Sequence, residues 1–248
     1  FEPMEKALDK KNIAGVIVEP LVQGAAGMKI YPPVYLKKLQ SACDSHSVHL
    51  IFDEIAVAFG RTGSLFVSGQ HDIRPTFLCL SKGITSGYLP LAVTLTTEEI
   101  YSAFYDDYNN WKMFIHSHSY SANPLACSVA NETLAIVCQN DFMAMLTPKI
   151  KLMKELGQQI AKDSKWCGEF RQQGMIAALE LVKSNDDKQP FPIENRVGYK
   201  VYLEALKRGV FLRPLGDVIY FIPPLVINED EITTMMNTAR ECMAVVLD

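Results

Sequence analysis

With 248 residues, 48% of them hydrophobic and 21% charged, the chain has the make-up of an ordinary globular protein and is long enough for one large domain or two. A formal net charge of −4 without long basic runs gives no electrostatic footing for nucleic acid or an anionic membrane surface. No apolar run approaches the roughly 20 residues that span a bilayer, and the first residues lack a basic stretch followed by an apolar one, so a cytoplasmic location is expected.

The chain opens on Phe1, and its first residues already read as a helix-like segment leading to a buried strand; a later part of a longer protein is expected. Ile13 to Val18 is a continuously apolar, largely β-branched run closed by Glu19-Pro20, which predicts a strand covered on both faces. Gln23-Gly24-Ala25-Ala26-Gly27 supplies a flexible loop. Pro32-Pro33 then opens a helix that sets Tyr35, Leu36, Leu39, Ala42 and Cys43 on one face. Leu50 to Asp53 is the next strand, completing a strand, helix, strand unit with a right-handed crossover. A Gly-rich turn, Phe59-Gly60-Arg61-Thr62-Gly63, separates it from a further buried strand at Thr76 to Leu80. Leu91 to Leu95 is another strand, with no pairing assigned. Thr97-Glu98-Glu99 opens a helix with a cap and an acidic first turn. Residues 109 to 120 are aromatic and irregular, which suits a loop packed on something other than solvent, and Asn123-Pro124 begins a long helix through Cys138.

The composition changes after about Asn140, so residues 1–139 are read as one domain and 140–248 as a small C-terminal α+β domain. Thr147-Pro148 begins an amphipathic helix with Ile150, Met153, Leu156 and Ile160 inward. A strand at Met175 to Val182, a polar loop over 183–189 and a helix from Glu194 to Lys207 follow. Val210 to Leu212 and Val218 to Ile222 read as two strands about a Leu215-Gly216-Asp217 turn, and Asn228 caps a final helix with Ile232, Met235, Met236 and Ala239 inward. The six cysteines show no CxxC spacing and fall mostly in apolar segments, the pattern of buried free thiols in a reducing compartment.

Two strand ends carry the chemistry. Asp53 closes one apolar run, and Ser81-Lys82-Gly83 closes the next; in α/β sheets that edge is where ligands sit. A lysine just past a buried strand is poorly solvated, which lowers its pKa and frees some neutral amine to attack a carbonyl. A nearby aspartate holds a protonated ring nitrogen. Together these are the two groups that pyridoxal 5'-phosphate (PLP) requires, although strand-end Asp and Lys are common in any α/β protein. Ile55 lies on the same side of the chain as Asp53, either against a cofactor ring or in plain core packing. Glu54 points the other way and is assigned no chemistry. Arg61 either ties down its glycine-flanked loop or forms part of a substrate wall. In His116-Ser117-His118-Ser119-Tyr120, ahead of a helix, hydroxyl and backbone N–H groups suit a phosphate; with no third ligand at suitable spacing, the two histidines give no metal site. Arg213, whose planar fork makes two parallel hydrogen bonds, is either a clamp for a substrate carboxylate or an ordinary interdomain salt bridge.

Asp53-Glu54-Ile55, Phe59-Gly60-Arg61-Thr62-Gly63, Ser81-Lys82-Gly83 and Asn123-Pro124-Leu125-Ala126-Cys127, in this order, resemble the class III (ω-type) PLP-dependent aminotransferases over nearly the whole chain. Val57-Ala58 departs from the Thr-Gly more usual in that family. The resemblance implies an α/β PLP-dependent transferase fold of type I, here the second half of a large domain with a mostly parallel sheet plus the small domain. It implies that Lys82 is the catalytic, cofactor-bearing lysine, that Asp53 and Ile55 lie against the PLP ring, and that Ser119 and His118 contact the phosphate of a neighbouring subunit's cofactor in a homodimer. Ser117, Arg61, Arg213 and Tyr220 are implied to face substrate. The members it is most like belong to biotin biosynthesis, where 8-amino-7-oxononanoate becomes 7,8-diaminononanoate and S-adenosylmethionine is the usual amino donor, lysine the less usual one. The absence of a glutamate from the loop over 23–27 agrees with that branch. The alternatives are another class III ω-aminotransferase with a different donor or acceptor, and a PLP-binding subunit without catalysis.

Overall fold

The computed structural model describes residues 1–248. In chain order its first elements are α1 (Glu2–Leu8), β1 (Gly15–Val18), a short hairpin of β2 (Val22–Gln23) and β3 (Lys29–Ile30), α2 (Val34–His46), β4 (His49–Asp53), α3 (Val67–Gln70), β5 (Phe77–Leu80), β6 (Val93–Thr96), α4 (Glu98–Ser102) and α5 (Pro124–Val137). Then come α6 (Phe142–Asp163), β7 (Cys167–Gln173), β8 (Ile176–Leu181), α7 (Val197–Lys207), β9 (Arg213–Leu215), β10 (Val218–Phe221) and α8 (Glu229–Leu247).

These elements form two compact units that do not follow a single cut of the chain: one holds Phe1–Pro20, Pro32–Phe59 and Leu65–Gln139, the other Leu21–Tyr31, Gly60–Ser64 and Asn140–Asp248. The two short pieces join the second unit through specific bonds. Arg171 donates from Nε to the Met28 carbonyl and from a terminal nitrogen to the Gly27 carbonyl. Met175 N–H donates to the Arg61 carbonyl at 2.8 Å. Neither tie is visible in local periodicity.

In the first unit, strands run in the order β1-β4-β5-β6, with β1, β4 and β5 parallel and β6 antiparallel to β5. Helix α2 covers part of this sheet with Leu36, Leu39 and Cys43, all fully buried, and stops where Ser47 turns left-handed. The strand at β1 was expected to be covered on both faces, yet Ile17 of this edge strand is 65% exposed, so the face it lies on is not covered within this chain. Leu95 on the opposite edge strand is 52% exposed. The aromatic stretch over 109–120 was expected to pack against something, and within this chain Trp111, Phe114 and Ile115 face outward.

The second unit has an antiparallel sheet in the order β7-β8-β10-β9, packed with α6, α7 and α8. Its core joins Ala177, Leu179 and Leu181 of β8 to Ile219 and Phe221 of β10, Met153 of α6, Val201 of α7 and Met236 of α8. Strand β7 escapes a reading by hydrophobicity because Arg171 is buried in it, neutralised by Glu169 and Glu180. Helix α6 starts five residues before the expected Thr147 and carries Pro148 inside it. Strand β9 starts at Arg213, three residues later than expected. Asn228 caps α8 as expected, within a capping box closed by Glu231. The cysteines are all free; Cys43, Cys167 and Cys242 are buried, but Cys138 is exposed and Cys79 and Cys127 are half-buried. No helix is long and apolar enough to cross a membrane.

Candidate active site

The parallel register of β4 and β5 pairs Ile51 with Phe77, Phe52 with Leu78 and Asp53 with Cys79. Glu54 N–H extends the pairing by donating to the Cys79 carbonyl at 3.0 Å. Asp53 therefore stands at the C-terminal end of its strand, opposite a residue three positions before Lys82. Two adjacent parallel strands deliver an acid and an amine to the same sheet edge, the edge where α/β proteins bind ligands. Asp53 Oδ1 accepts from Ile55 N–H at 3.1 Å, which turns the chain directly after the strand and leaves Oδ2 without a partner. Ile55 itself is half-buried.

Lys82 begins a 3₁₀ turn over Lys82–Thr85 with a left-handed φ of 45°. The turn is fastened on both sides: Ser81 Oγ donates to the Leu91 carbonyl at 2.6 Å, and the buried Thr85 hydroxyl donates to the Leu89 carbonyl. Lys82 was expected to be poorly solvated, but in this chain it is exposed. The turn carries it off the buried end of β5 at Leu80, and no side chain of this chain bonds it.

Glu54, assigned no chemistry from its place in the strand, is the most buried acid here. It is fully buried, with Oε2 accepting from Val67 N–H and Oε1 from Ser68 N–H, each at 2.8 Å. Burial raises its pKa, against the lowering effect of those hydrogen bonds. An acid set opposite to Asp53 at the end of an alternating strand was the available signal; the two amides it would meet, 13 and 14 residues on, were not.

Ser117, His118 and Ser119 lie in an exposed, irregular segment before α5. His118 N–H donates to Ser121 Oγ and Tyr120 N–H to His118 Nδ1, both at 3.1 Å, and no hydrogen bond joins the segment to Asp53 or Lys82. Asn123 Oδ1 takes the N–H groups of Leu125 and Ala126 at the start of α5, so those two donors are already used.

The remaining candidates lie in the second unit. Arg61 donates to the Pro223 carbonyl, and desolvation lowers its pKa to about 10, which still leaves it charged at neutral pH. Of its two expected roles, the loop tie thus has a partner in hand. Arg213 is exposed at the head of β9 and makes no ion pair; Tyr220, half-buried on β10, is its register partner.

The family model for class III aminotransferases matches residues 1–243. The chain belongs to the class III aminotransferases. The adenosylmethionine-8-amino-7-oxononanoate aminotransferase of Geobacter sulfurreducens is 46% identical to it over 226 residues, 91% of this chain and 50% of that protein. The crystal structure of the same-named enzyme from Methanocaldococcus jannaschii superposes with a TM-score of 0.94 at 36% identity, covering 99% of this chain and 57% of that one. An amine transaminase from an uncultivated Pseudomonas species, solved in its PLP-bound form, gives a TM-score of 0.89 at 33% identity, with 99% and 56% covered. As a class III member the chain has the fold type I architecture, α/β with a largely parallel sheet. It spans about half the length of the relatives it matches.

Proposed function

We propose that the protein containing this chain is a PLP-dependent aminotransferase that converts 8-amino-7-oxononanoate to 7,8-diaminononanoate in biotin biosynthesis, with S-adenosylmethionine as amino donor. The observation that carries the reading is the pairing of Asp53 with Cys79, which brings the acid and the segment leading to Lys82 to one end of two adjacent parallel strands. The donors suit the cofactor: Asp53 keeps a free carboxylate oxygen for a protonated ring nitrogen, and Lys82 keeps an unpaired amine for an aldehyde. PLP, when bound, supplies the electron sink that lets the donor's α-carbon give up a proton.

In this reading Lys82 holds the cofactor and, once released, moves the proton at the donor's α-carbon. Asp53 balances the ring-nitrogen charge, and Ile55 packs beside the ring. Ser119 and the His118 backbone take a cofactor phosphate, while Ser117, Arg61 and Tyr220 line the substrate. Arg213 binds the acceptor's carboxylate through two parallel hydrogen bonds. Residues 1–139 belong to the later part of the large PLP-binding domain and 140–248 to the small domain. A cytoplasmic homodimer completes the reading, and the outward-facing Tyr105, Tyr108, Trp111, Phe114 and Ile115 support it, since apolar side chains so close together in sequence call for a covering partner.

The test uses the full-length protein. Its visible cofactor band is expected to vanish in Lys82→Ala, and transamination of 8-amino-7-oxononanoate is expected to exceed that of pyruvate or 2-oxoglutarate. A faster reaction with either of those two acids would move the assignment to another class III ω-aminotransferase, and a cofactor band without turnover on any of them would mark a non-catalytic subunit.

A further inference from the structure

The segment between Asp53 and Lys82 does more than connect two strands. Glu54 grips the amides of Val67 and Ser68 from inside the protein, so both ends of the excursion over 55–66 are pinned. At its near end Val57 and Ala58 donate to the Glu54 carbonyl, and Phe59 N–H donates to the Leu65 carbonyl at 2.7 Å. Phe59 is held left-handed, with φ at 58°, a conformation that is costly for a side-chain-bearing residue and persists only where the surroundings enforce it. Its buried ring meets Phe66 edge-on at 5.6 Å between centroids.

The same residue lies against Gly83. A Cβ placed on Gly83 would stand 2.7 Å from Phe59 Cδ2, closer than such carbon atoms approach, and 3.2 Å from its Cβ and Cγ, tighter than most contacts. The ring thus occupies the space that a side chain at residue 83 would need, directly beneath the peptide that follows Lys82. Lys82 is itself left-handed, and its exposed side chain has no partner to aim it. The direction in which its amine leaves the sheet is therefore set by the backbone at residues 82 and 83.

We propose that Phe59 is a positioning residue for Lys82: packed against both Phe66 and Gly83 on a loop that Glu54 anchors, it fixes the turn from which the cofactor-bearing amine projects. This rests on the reading that Lys82 carries the cofactor.

The experiment is a double-mutant cycle in the full-length, PLP-loaded protein, with Lys82→Ala as a control and two readouts: the rate of cofactor loss and the midpoint pH of the visible absorption change. Gly83→Ala should move the midpoint and speed cofactor loss on the order of 10–100-fold, the scale of a displacement of about 1 Å at a reacting group. In a Phe59→Ala background the same change should have less than about a third of that effect, because the 2.7 Å clash with the ring is then gone and only the 3.2 Å approach to the Cβ of residue 59 remains. Equal effects of Gly83→Ala with and without Phe59, or an unmoved midpoint in Gly83→Ala, would overturn the proposal. If Lys82→Ala leaves the band in place, the parent reading fails as well; if the band is lost but the cycle shows no coupling, this inference alone falls.

Discussion

The two four-stranded sheets of the molecule each contain short, largely apolar strands, which end in different surroundings. Strand β8, Ile176-Ala177-Ala178-Leu179-Glu180-Leu181, is buried at every position but Glu180, under helices α6 to α8 of its own unit. Strand β1, Gly15-Val16-Ile17-Val18, is just as apolar, yet it alternates between exposed and half-buried. Strand β6 exposes three of its four residues. Apolar content therefore reports the environment a strand is suited to, and only the β8 environment is supplied within these 248 residues. The proposed cofactor site falls in the sheet that is less enclosed.

That contrast is open to attack by mutation, and the largest effect belongs to the closed unit. Phe221→Ala, in its centre, should cost about 3–5 kcal/mol through lost burial and the cavity left behind, read from urea denaturation. A midpoint that hardly moves would contradict the closed core described for the second unit. Next comes Glu54→Gln in the first unit: its amide N–H₂ would face a backbone N–H where a carboxylate oxygen now accepts, a loss of about 1–3 kcal/mol in the same titration. Ile17→Ala should cost only about 0.5 kcal/mol in this chain, because its side chain is already largely in water. A cost near that of Phe221→Ala would erase the distinction between the two sheets.

The smallest effect depends on pH. His46 Nδ1 bonds the Ala42 carbonyl at 2.8 Å and Nε2 bonds Asp9 at 3.2 Å, and only the imidazolium donates from both nitrogens. Its pKa is raised by the Ala42 carbonyl first and by Asp9 next. A raised folded-state pKa means the contribution is fully present below the unfolded pKa and is lost as pH rises through the folded one. The stability difference between the parent chain and His46→Gln should therefore shrink from pH 5 to pH 8; one that grew with pH would reverse the sign.

Much of the site is legible in the residues. Asp53 and Lys82 stand out as polar ends of apolar runs, and Asn228 announces its helix by cap chemistry alone. What escapes depends on contacts between residues distant in sequence. Arg171 hides β7 because its charge is paired with Glu180 on the next strand and its other N–H groups are taken by carbonyls 143 and 144 residues away. Pro148 suggests a helix start, yet α6 tolerates it inside. The parallel register that matches Asp53 with Cys79 cannot be seen in periodicity, which gives faces and not partners. Nor does a Ser-Lys-Gly triplet reveal that its lysine is left-handed and exposed, since that follows from the turn below it.

The most direct measurement is to treat the PLP-loaded full-length protein with borohydride, digest it, and find by mass spectrometry which lysine carries the reduced cofactor. A single modified peptide with the added mass on Lys82 is the predicted result. Modification of a different lysine, with Lys82 recovered free, would contradict the account.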